Sequence, residues 1–320
     1  MPLHPEVRDL IRMLGDWQKE HGVPARSLQN FPEQRHWGRV QYPLKKAVEE
    51  RPEVEVERST IKTRGGERPI RVYRPHTHRD LPTIIFVHGG GYAVGGLDDV
   101  HHEALRLAAS VPTNVVSISY RLAPENPWPA GVDDGQDIVS AIVSGAIPGI
   151  QTTRMALGGI SAGAGLVAAV TRRFIELGNS PIDLLIMLSP WLDMTQSLPS
   201  ASIFGQGNFL EKSSLDLFAE AYRGRDIALD HPELSPARHS LPNAWPATII
   251  LSAECDPLAD DAALFARRLA EADIPHAWRV ARGMIHAFHA WVGQIPSSSI
   301  DIEWMDSRIR EWCSSRSFRV

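Results

Sequence analysis

Met155-Ala156-Leu157-Gly158-Gly159-Ile160-Ser161-Ala162-Gly163 joins a short apolar run to the Ala-rich stretch 162–177. The order is strand, then G-x-S-x-G over 159–163, then helix, and the flanking elements carry the reading, because the bare five-residue pattern also serves as a simple tight turn. A strand-to-helix turn this sharp demands small residues on both sides of the serine, since bulk there collides with the neighbouring strand and helix. It lifts the serine oxygen above the sheet. The helix N-terminus behind it sets backbone N–H groups and the positive end of the helix dipole beside a reacting carbonyl. Ser161 is therefore the candidate nucleophile.

Outward from this turn the chain alternates. Continuous apolar runs at 83–87, 115–119, 155–157, 184–188, 248–251 and 277–280 suit strands covered on both faces. Helix-length stretches lie between or after them at 100–110, 132–144, 162–177, 258–272 and 302–312. Alternating strands and helices predict an α/β fold with a mostly parallel sheet. Val54, Val56, Ile70 and Val72 alternate with polar residues instead, the pattern of two half-exposed strands pairing antiparallel at an edge. Upstream, Val7, Leu10, Ile11 and Leu14 form a helical stripe and 22–44 is broken by prolines, so residues 1–50 read as a helical appendage. Residues 191–245 separate two strands by more than a crossover helix needs, with a helical piece near 214–222, and read as an inserted cap.

Composition bounds the function. The 320 residues are 43% hydrophobic and 22% charged, enough apolar mass for a sizeable core. A formal charge of -5 without long blocks of one sign argues against nucleic acid or an anionic membrane as the main partner. No apolar segment reaches membrane-spanning length and the first residues do not resemble a secretory signal, so a cytoplasmic protein is expected. Cys255 and Cys313 are too few for a disulfide framework and read as reduced thiols.

A serine nucleophile needs an oxyanion site, a base and an orienting acid. His88-Gly89-Gly90-Gly91-Tyr92 follows the run 83–87, and its bare glycines leave backbone amides open to a carbonyl oxygen. Gly89 and Gly90, with the Ala162 N–H after the nucleophile, are the candidate donors; His88 reads as orienting the loop. Asp256 ends the strand 248–251 at its carboxyl side, where active-site residues of such sheets gather. It could equally cap the helix that Pro257 opens. Glu254, Asp260 and Asp261 are the competing carboxylates, ranked as helix-end charges. His286 lies in the loop after the last strand, within reach of Ser161; His289 is its rival, while His276 lies at the wrong end of that strand. His286 with His289, or His101 with His102, lacks a third ligand at recognisable spacing, so no metal is expected.

Together with Ser119-Tyr120-Arg121-Leu122-Ala123-Pro124-Glu125 and Trp128-Pro129-Ala130, these motifs resemble the hormone-sensitive-lipase-like (bacterial family IV) esterases of the α/β-hydrolase superfamily, from about residue 82 to 291. The resemblance implies an eight-stranded, mostly parallel sheet flanked by helices, with a helical cap: residues 1–50 as cap, 51–320 as catalytic domain, and 191–245 contributing to the cap. It implies Ser161 as nucleophile, His286 as base, Asp256 as its partner, and Gly89, Gly90 and Ala162 as oxyanion donors. Ile160 stands where the family often has Asp, and Ala164-Gly165 where it often has Gly-Asn, which makes the pocket beside the serine more apolar. Tyr92, Ile160, Trp191 and Phe209 are candidate substrate contacts; Trp128, Phe204 and Trp245 are further aromatic wall candidates that read equally as core.

The expected activity is cofactor-free hydrolysis of short- to medium-chain carboxylic esters, with a small ester as the only partner class. Lactone, carbamate or amide hydrolysis on the same groups, and a dehydratase, acyltransferase or small-molecule receptor on the same scaffold, are the alternatives. A homodimer through the last-strand edge and the helix near 302–312 is a further expectation.

Overall fold

The computed structural model describes residues 3–41, 51–76, 80–224 and 227–315. The elements run α1 (Pro5–Glu20), α2 (Phe31–Gln41), β1 (Val54–Thr63), β2 (Gly66–Pro75), β3 (Thr83–Val87), α3 (His101–Ser110), β4 (Asn114–Ile118) and α4 (Ala130–Val143). They continue with β5 (Met155–Ile160), α5 (Ala162–Glu176), β6 (Leu184–Leu188), α6 (Pro199–Ile203), α7 (Lys212–Arg223), β7 (Ala247–Cys255), α8 (Ala259–Glu271), β8 (His276–Ile285) and α9 (Ser299–Ser314). The strands form one eight-stranded sheet in the order β1-β2-β4-β3-β5-β6-β7-β8. β1 and β2 pair antiparallel, β2 meets β4 antiparallel, and every later pairing is parallel.

The period-2 alternation of each strand divides its side chains between two cores. Ile85, Val87, Leu157, Leu185 and Met187 face one side, where Val132 and Ile138 of α4, Leu166 and Val170 of α5 and Phe265 of α8 cover them. Ile84, Phe86, Ala156, Leu184 and Ile186 face the other, against Leu107 of α3 and Ile302, Met305 and Ile309 of α9. This is why the central strands read as continuous apolar runs: helices cover both faces.

The stripe expected at the N-terminus is real, and its place is informative. Val7, Leu10 and Leu14 are buried in the second of these cores, each contributing roughly 1.5–3 kcal/mol of transfer free energy. The His4 N–H donates to the Gly283 carbonyl at 3.0 Å, tying the helix start to β8. α1 is thus rooted in the body of the molecule on one face while Ile11 and Gln18 border a cavity on another. The boundary expected at residue 50 lies outside the described residues. Three strands run further than their apolar runs suggest: β5 to Ile160, β7 to Cys255 and β8 to Ile285. Ser252 and Gly283, within the extensions of β7 and β8, are buried. The consequence is positional: His286 follows the last strand directly instead of hanging in a longer loop.

Candidate active site

Ser161 sits at φ 55°, in the left-handed region that costs a non-glycine residue roughly 1–3 kcal/mol. The surroundings enforce it. Its N–H donates to the Leu188 carbonyl of β6 at 2.9 Å, and its own carbonyl accepts the Trp191 N–H at 3.1 Å and the Ala164 N–H at 3.0 Å. The small flanking residues are explained by contact: a Cβ on Gly159 would lie 2.4 Å from the Gly163 backbone, and one on Gly163 would lie 2.4 Å from the Val87 carbonyl oxygen.

Three side chains from three strand ends meet above this turn. Asp256 Oδ2 accepts from His286 Nδ1 at 2.8 Å, which leaves Nε2 to accept the Ser161 hydroxyl at 3.0 Å. All three are buried. The other Asp256 oxygen, Oδ1, accepts the Leu258 N–H at 2.9 Å in the turn before α8. That helix opens at Ala259, not at Pro257, and its N-cap residue is Leu258, without a side-chain cap, so Asp256 does not cap it.

The glycine loop presses against the serine. A Cβ on Gly89 would lie 2.9 Å from the Ile160 carbonyl oxygen and 3.2 Å from Ser161 Cβ; one on Gly90, at φ 103°, would lie 2.2 Å from the Val94 carbonyl oxygen. His88 braces this loop rather than acting in it. Its Nδ1 donates to the Gly89 carbonyl at 2.7 Å, and its ring stacks on Tyr120 at 4.4 Å between centroids. Burial pushes its pKa down, which keeps the imidazole neutral. Segment 119–125 thereby acquires a physical purpose: Tyr120 supports His88, the Arg121 side chain pairs with buried Asp134 at 2.9 Å, and Glu125 accepts Arg35 of α2 at 2.7 Å.

A cavity of about 630 Å³ opens over the serine. Gly89, Gly90, Ile160, Ser161, Trp191, Phe209 and His286 line it. Ala162 follows Ser161 directly and is fully buried. Tyr92 is different: it does not border the cavity but is buried beneath it, stacked on Tyr222 at 3.7 Å and packed on Trp191 at 5.9 Å. Its place following the glycine loop made it look like a wall residue, whereas its positive φ turns the ring into the core. Trp128 donates its indole N–H to Glu233 and Trp245 packs edge-on against Phe265; neither these nor Phe204 borders the cavity.

The rivals fall away on geometry. His289 pairs with Glu103 at 3.3 Å in a buried contact, and His276 bonds to the Ile274 carbonyl at 2.9 Å. Glu254 holds Arg282 and the Gly283 N–H, and Asp260 accepts the Ser200 N–H. Asp261 stands in the first turn of α8, a helix-end carboxylate as expected, but it is buried, and its Oδ2 accepts the N–H groups of Leu192 at 2.9 Å and Asp193 at 2.8 Å, tying the loop after β6 to α8. Burial pushes its pKa well above the usual carboxylate value. Among the described residues no three His, Cys, Asp or Glu side chains gather as a metal site, and no helix is long and apolar enough to cross a membrane.

Sequence reasoning missed the upper wall. Arg26, Leu215 and Phe218 border the cavity, and Phe31 of α2 stacks on Phe218 of α7 at 5.7 Å, joining the N-terminal segment to the 191–245 insertion. No motif marks these positions; the i, i+3 spacing of Leu215 and Phe218 is the available signal.

The fold and this constellation define an α/β hydrolase. A sequence model described as alpha/beta hydrolase fold matches residues 84–290, and the chain belongs to that family, in its hormone-sensitive-lipase-like branch. Carboxylesterase NlhH of Mycobacterium tuberculosis is 33% identical over 264 residues, 80% of this chain and 82% of that protein. The arylesterase of Saccharolobus solfataricus is 30% identical over 290 residues, 90% of this chain and 92% of that one. Among solved structures, a Pyrobaculum calidifontis esterase superposes with a TM-score of 0.86 at 27% identity, covering 97% of this chain and 98% of that one.

Proposed function

We propose that this protein is a serine carboxylesterase that hydrolyses short- to medium-chain carboxylic esters through an acyl-enzyme. The observation that carries it is the hydrogen-bonded chain Ser161 Oγ, His286, Asp256, with links of 3.0 and 2.8 Å. Kinship with named carboxylesterases and esterases supports the reaction class.

In this mechanism Ser161 Oγ attacks the ester carbonyl as His286 Nε2 takes its proton. Asp256 holds the imidazole tautomer and stabilises the cation that forms. The developing oxyanion is met by the N–H groups of Gly89, Gly90 and Ala162, aided by the N-terminal end of α5. The tetrahedral adduct collapses, His286 protonates the leaving alkoxide, and the alcohol departs. Water deprotonated by His286 then attacks the acyl-enzyme, and the acid leaves with Ser161 restored.

We further propose that α1, α2 and the 191–245 insertion act as the cap of a catalytic body, supported by their shared lining of the cavity. The apolar wall of Ile160, Trp191 and Phe209 supports an acyl chain of limited length. A cytoplasmic setting accords with two free cysteines, and a homodimer accords with β8 standing at the sheet edge.

The test is the initial rate on p-nitrophenyl esters from two-carbon to sixteen-carbon chains, wild type beside Ser161→Ala. A loss of about 10⁴-fold or more in kcat, with a wild-type optimum among the shorter chains, is expected. Equal turnover by the variant, or a folded wild type inert on every chain length, would overturn the proposal.

A further inference from the structure

Arg26 stands in the loop 21–30 between α1 and α2 and lines the cavity that contains Ser161. Its guanidinium carbon lies 4.6 Å from the centroid of the Phe218 ring. That ring in turn presses on the glycine loop, because a Cβ on Gly91 would lie 2.2 Å from Phe218 Cγ. The Phe218 ring thus lies against both the Arg26 guanidinium and the glycine loop.

Among the described residues nothing neutralises it. Arg26 Nε is shut away from solvent without an acceptor, and the side chain makes neither an ion pair nor a hydrogen bond with a described residue. Burial pushes its pKa below the ordinary arginine value, the direction expected of a cation lacking a counter-charge. The other charged groups on this wall are engaged. Arg35 donates to the carbonyls of Ala93 at 2.7 Å and Ala123 at 2.8 Å and pairs with Glu125. Asp98 pairs with Arg71 at 2.7 Å, Glu103 with His289 at 3.3 Å, and Glu211 accepts the Gly207 N–H at 2.9 Å. Asp99 is the remaining carboxylate, and its charge acts on His88 and Tyr120 behind the glycine loop.

We propose that Arg26 receives a carboxylate of the substrate, so that the preferred esters carry a free carboxylate on their acyl or alcohol part, as hemi-esters of dicarboxylic acids do. The proposal rests on the ester-hydrolase reading of the same site. A guanidinium fork binds a carboxylate through two parallel charge-assisted hydrogen bonds. A cation already partly withdrawn from water has less hydration left to lose when that carboxylate arrives.

The experiment compares kcat/KM for matched pairs: monoethyl adipate against ethyl heptanoate, and acetoxybutyrate against pentyl acetate, with ethyl aminohexanoate as the cationic counterpart. Wild type, Arg26→Gln and Arg26→Lys are each measured at low and high salt. Taking the anionic-to-neutral ratio within each variant cancels any loss of folded enzyme. In wild type at least one pair favours the anion; Arg26→Gln lowers that ratio roughly ten- to a hundredfold, Arg26→Lys retains part of it, and salt reduces it. A ratio unmoved by Arg26→Gln in both pairs overturns the proposal, as does a wild-type preference for the cationic ester, which Asp99 and Glu211 would produce. Turnover of neutral esters with an unmoved ratio removes the carboxylate site alone, whereas inertness on every ester removes the hydrolase reading as well.

Discussion

The turn 159–163 and the loop 21–30 border the same cavity, yet they are held in place by different physics. Around Ser161 the constraints are backbone against backbone: Gly159, Gly163, Gly89 and Gly90 leave no room for a single methyl, with added Cβ atoms falling 2.2–2.9 Å from main-chain atoms. Around Arg26 the constraints are side chains: a ring under a guanidinium, Phe31 stacked on Phe218, and the Arg35–Glu125 pair at 2.7 Å. Backbone contacts cannot relax without moving strands, whereas side-chain contacts can be exchanged one at a time. The wall around Ser161 is thus fixed by main-chain contacts, and the wall around Arg26 by side-chain contacts that single substitutions can alter.

The largest expected effect lies on the rigid wall. Asp256→Asn keeps an oxygen for the Leu258 N–H but presents an amide to the imidazole, which favours the wrong tautomer; kcat should fall about 10⁴-fold with little change in Tm. Stopped-flow or steady-state turnover of p-nitrophenyl butyrate measures it, and a loss below tenfold would show that Asp256 chiefly holds the turn before α8. Next comes Gly90→Ala, whose methyl meets the Val94 carbonyl at 2.2 Å from a φ of 103°. Displacing this donor should lower kcat about 10²- to 10³-fold. Retention of full activity would mean the loop yields more readily than its contacts imply.

The smallest effect belongs to the cap wall. Hydrogen bonding from Arg35 holds the Glu125 carboxyl below its ordinary value of 4.5. Its folded pKa is depressed, so the stabilisation is present above the unfolded value and is lost as pH falls through the folded one. Glu125 is 46% exposed, which limits the pair to about 0.5–1 kcal/mol. Glu125→Gln should therefore lower Tm by about 1–2 °C at pH 7, by an amount that shrinks as pH falls below 4.5 toward pH 3. Calorimetry at both values checks it; an equal gap at both would mean the side chain acts through shape instead of charge.

The legible parts of this molecule share one property. Ser161, Gly89, Gly90, Asp256 and His286 could be picked out because their roles restrict residue type at a defined place relative to a strand end. Tyr92 was placed on the wall because it follows the glycine loop, but a positive φ, which no residue name announces, sends it inward. Asp261 reads as a helix-end charge and stands in the first turn of α8, but helix position alone does not reveal that the loop after β6 returns to cover it. Arg26 carried no signal at all, lying in a proline-broken stretch without period.

By itself the sequence determined the parallel sheet, the sharp turn at Ser161 and the glycine loop, since each follows from local sterics and strand-end placement, and the candidate Ser161, Asp256 and His286 follow from the order expected on such a fold. The tertiary structure alone decided which side chains close the cavity, that α1 roots its apolar stripe in the core, and that Arg26 meets Phe218. Those outcomes depend on contacts between residues nearly two hundred positions apart in the chain, as Arg26 and Phe218 are. Such contacts are selected by the shape of the assembled surfaces, a property that no single segment carries.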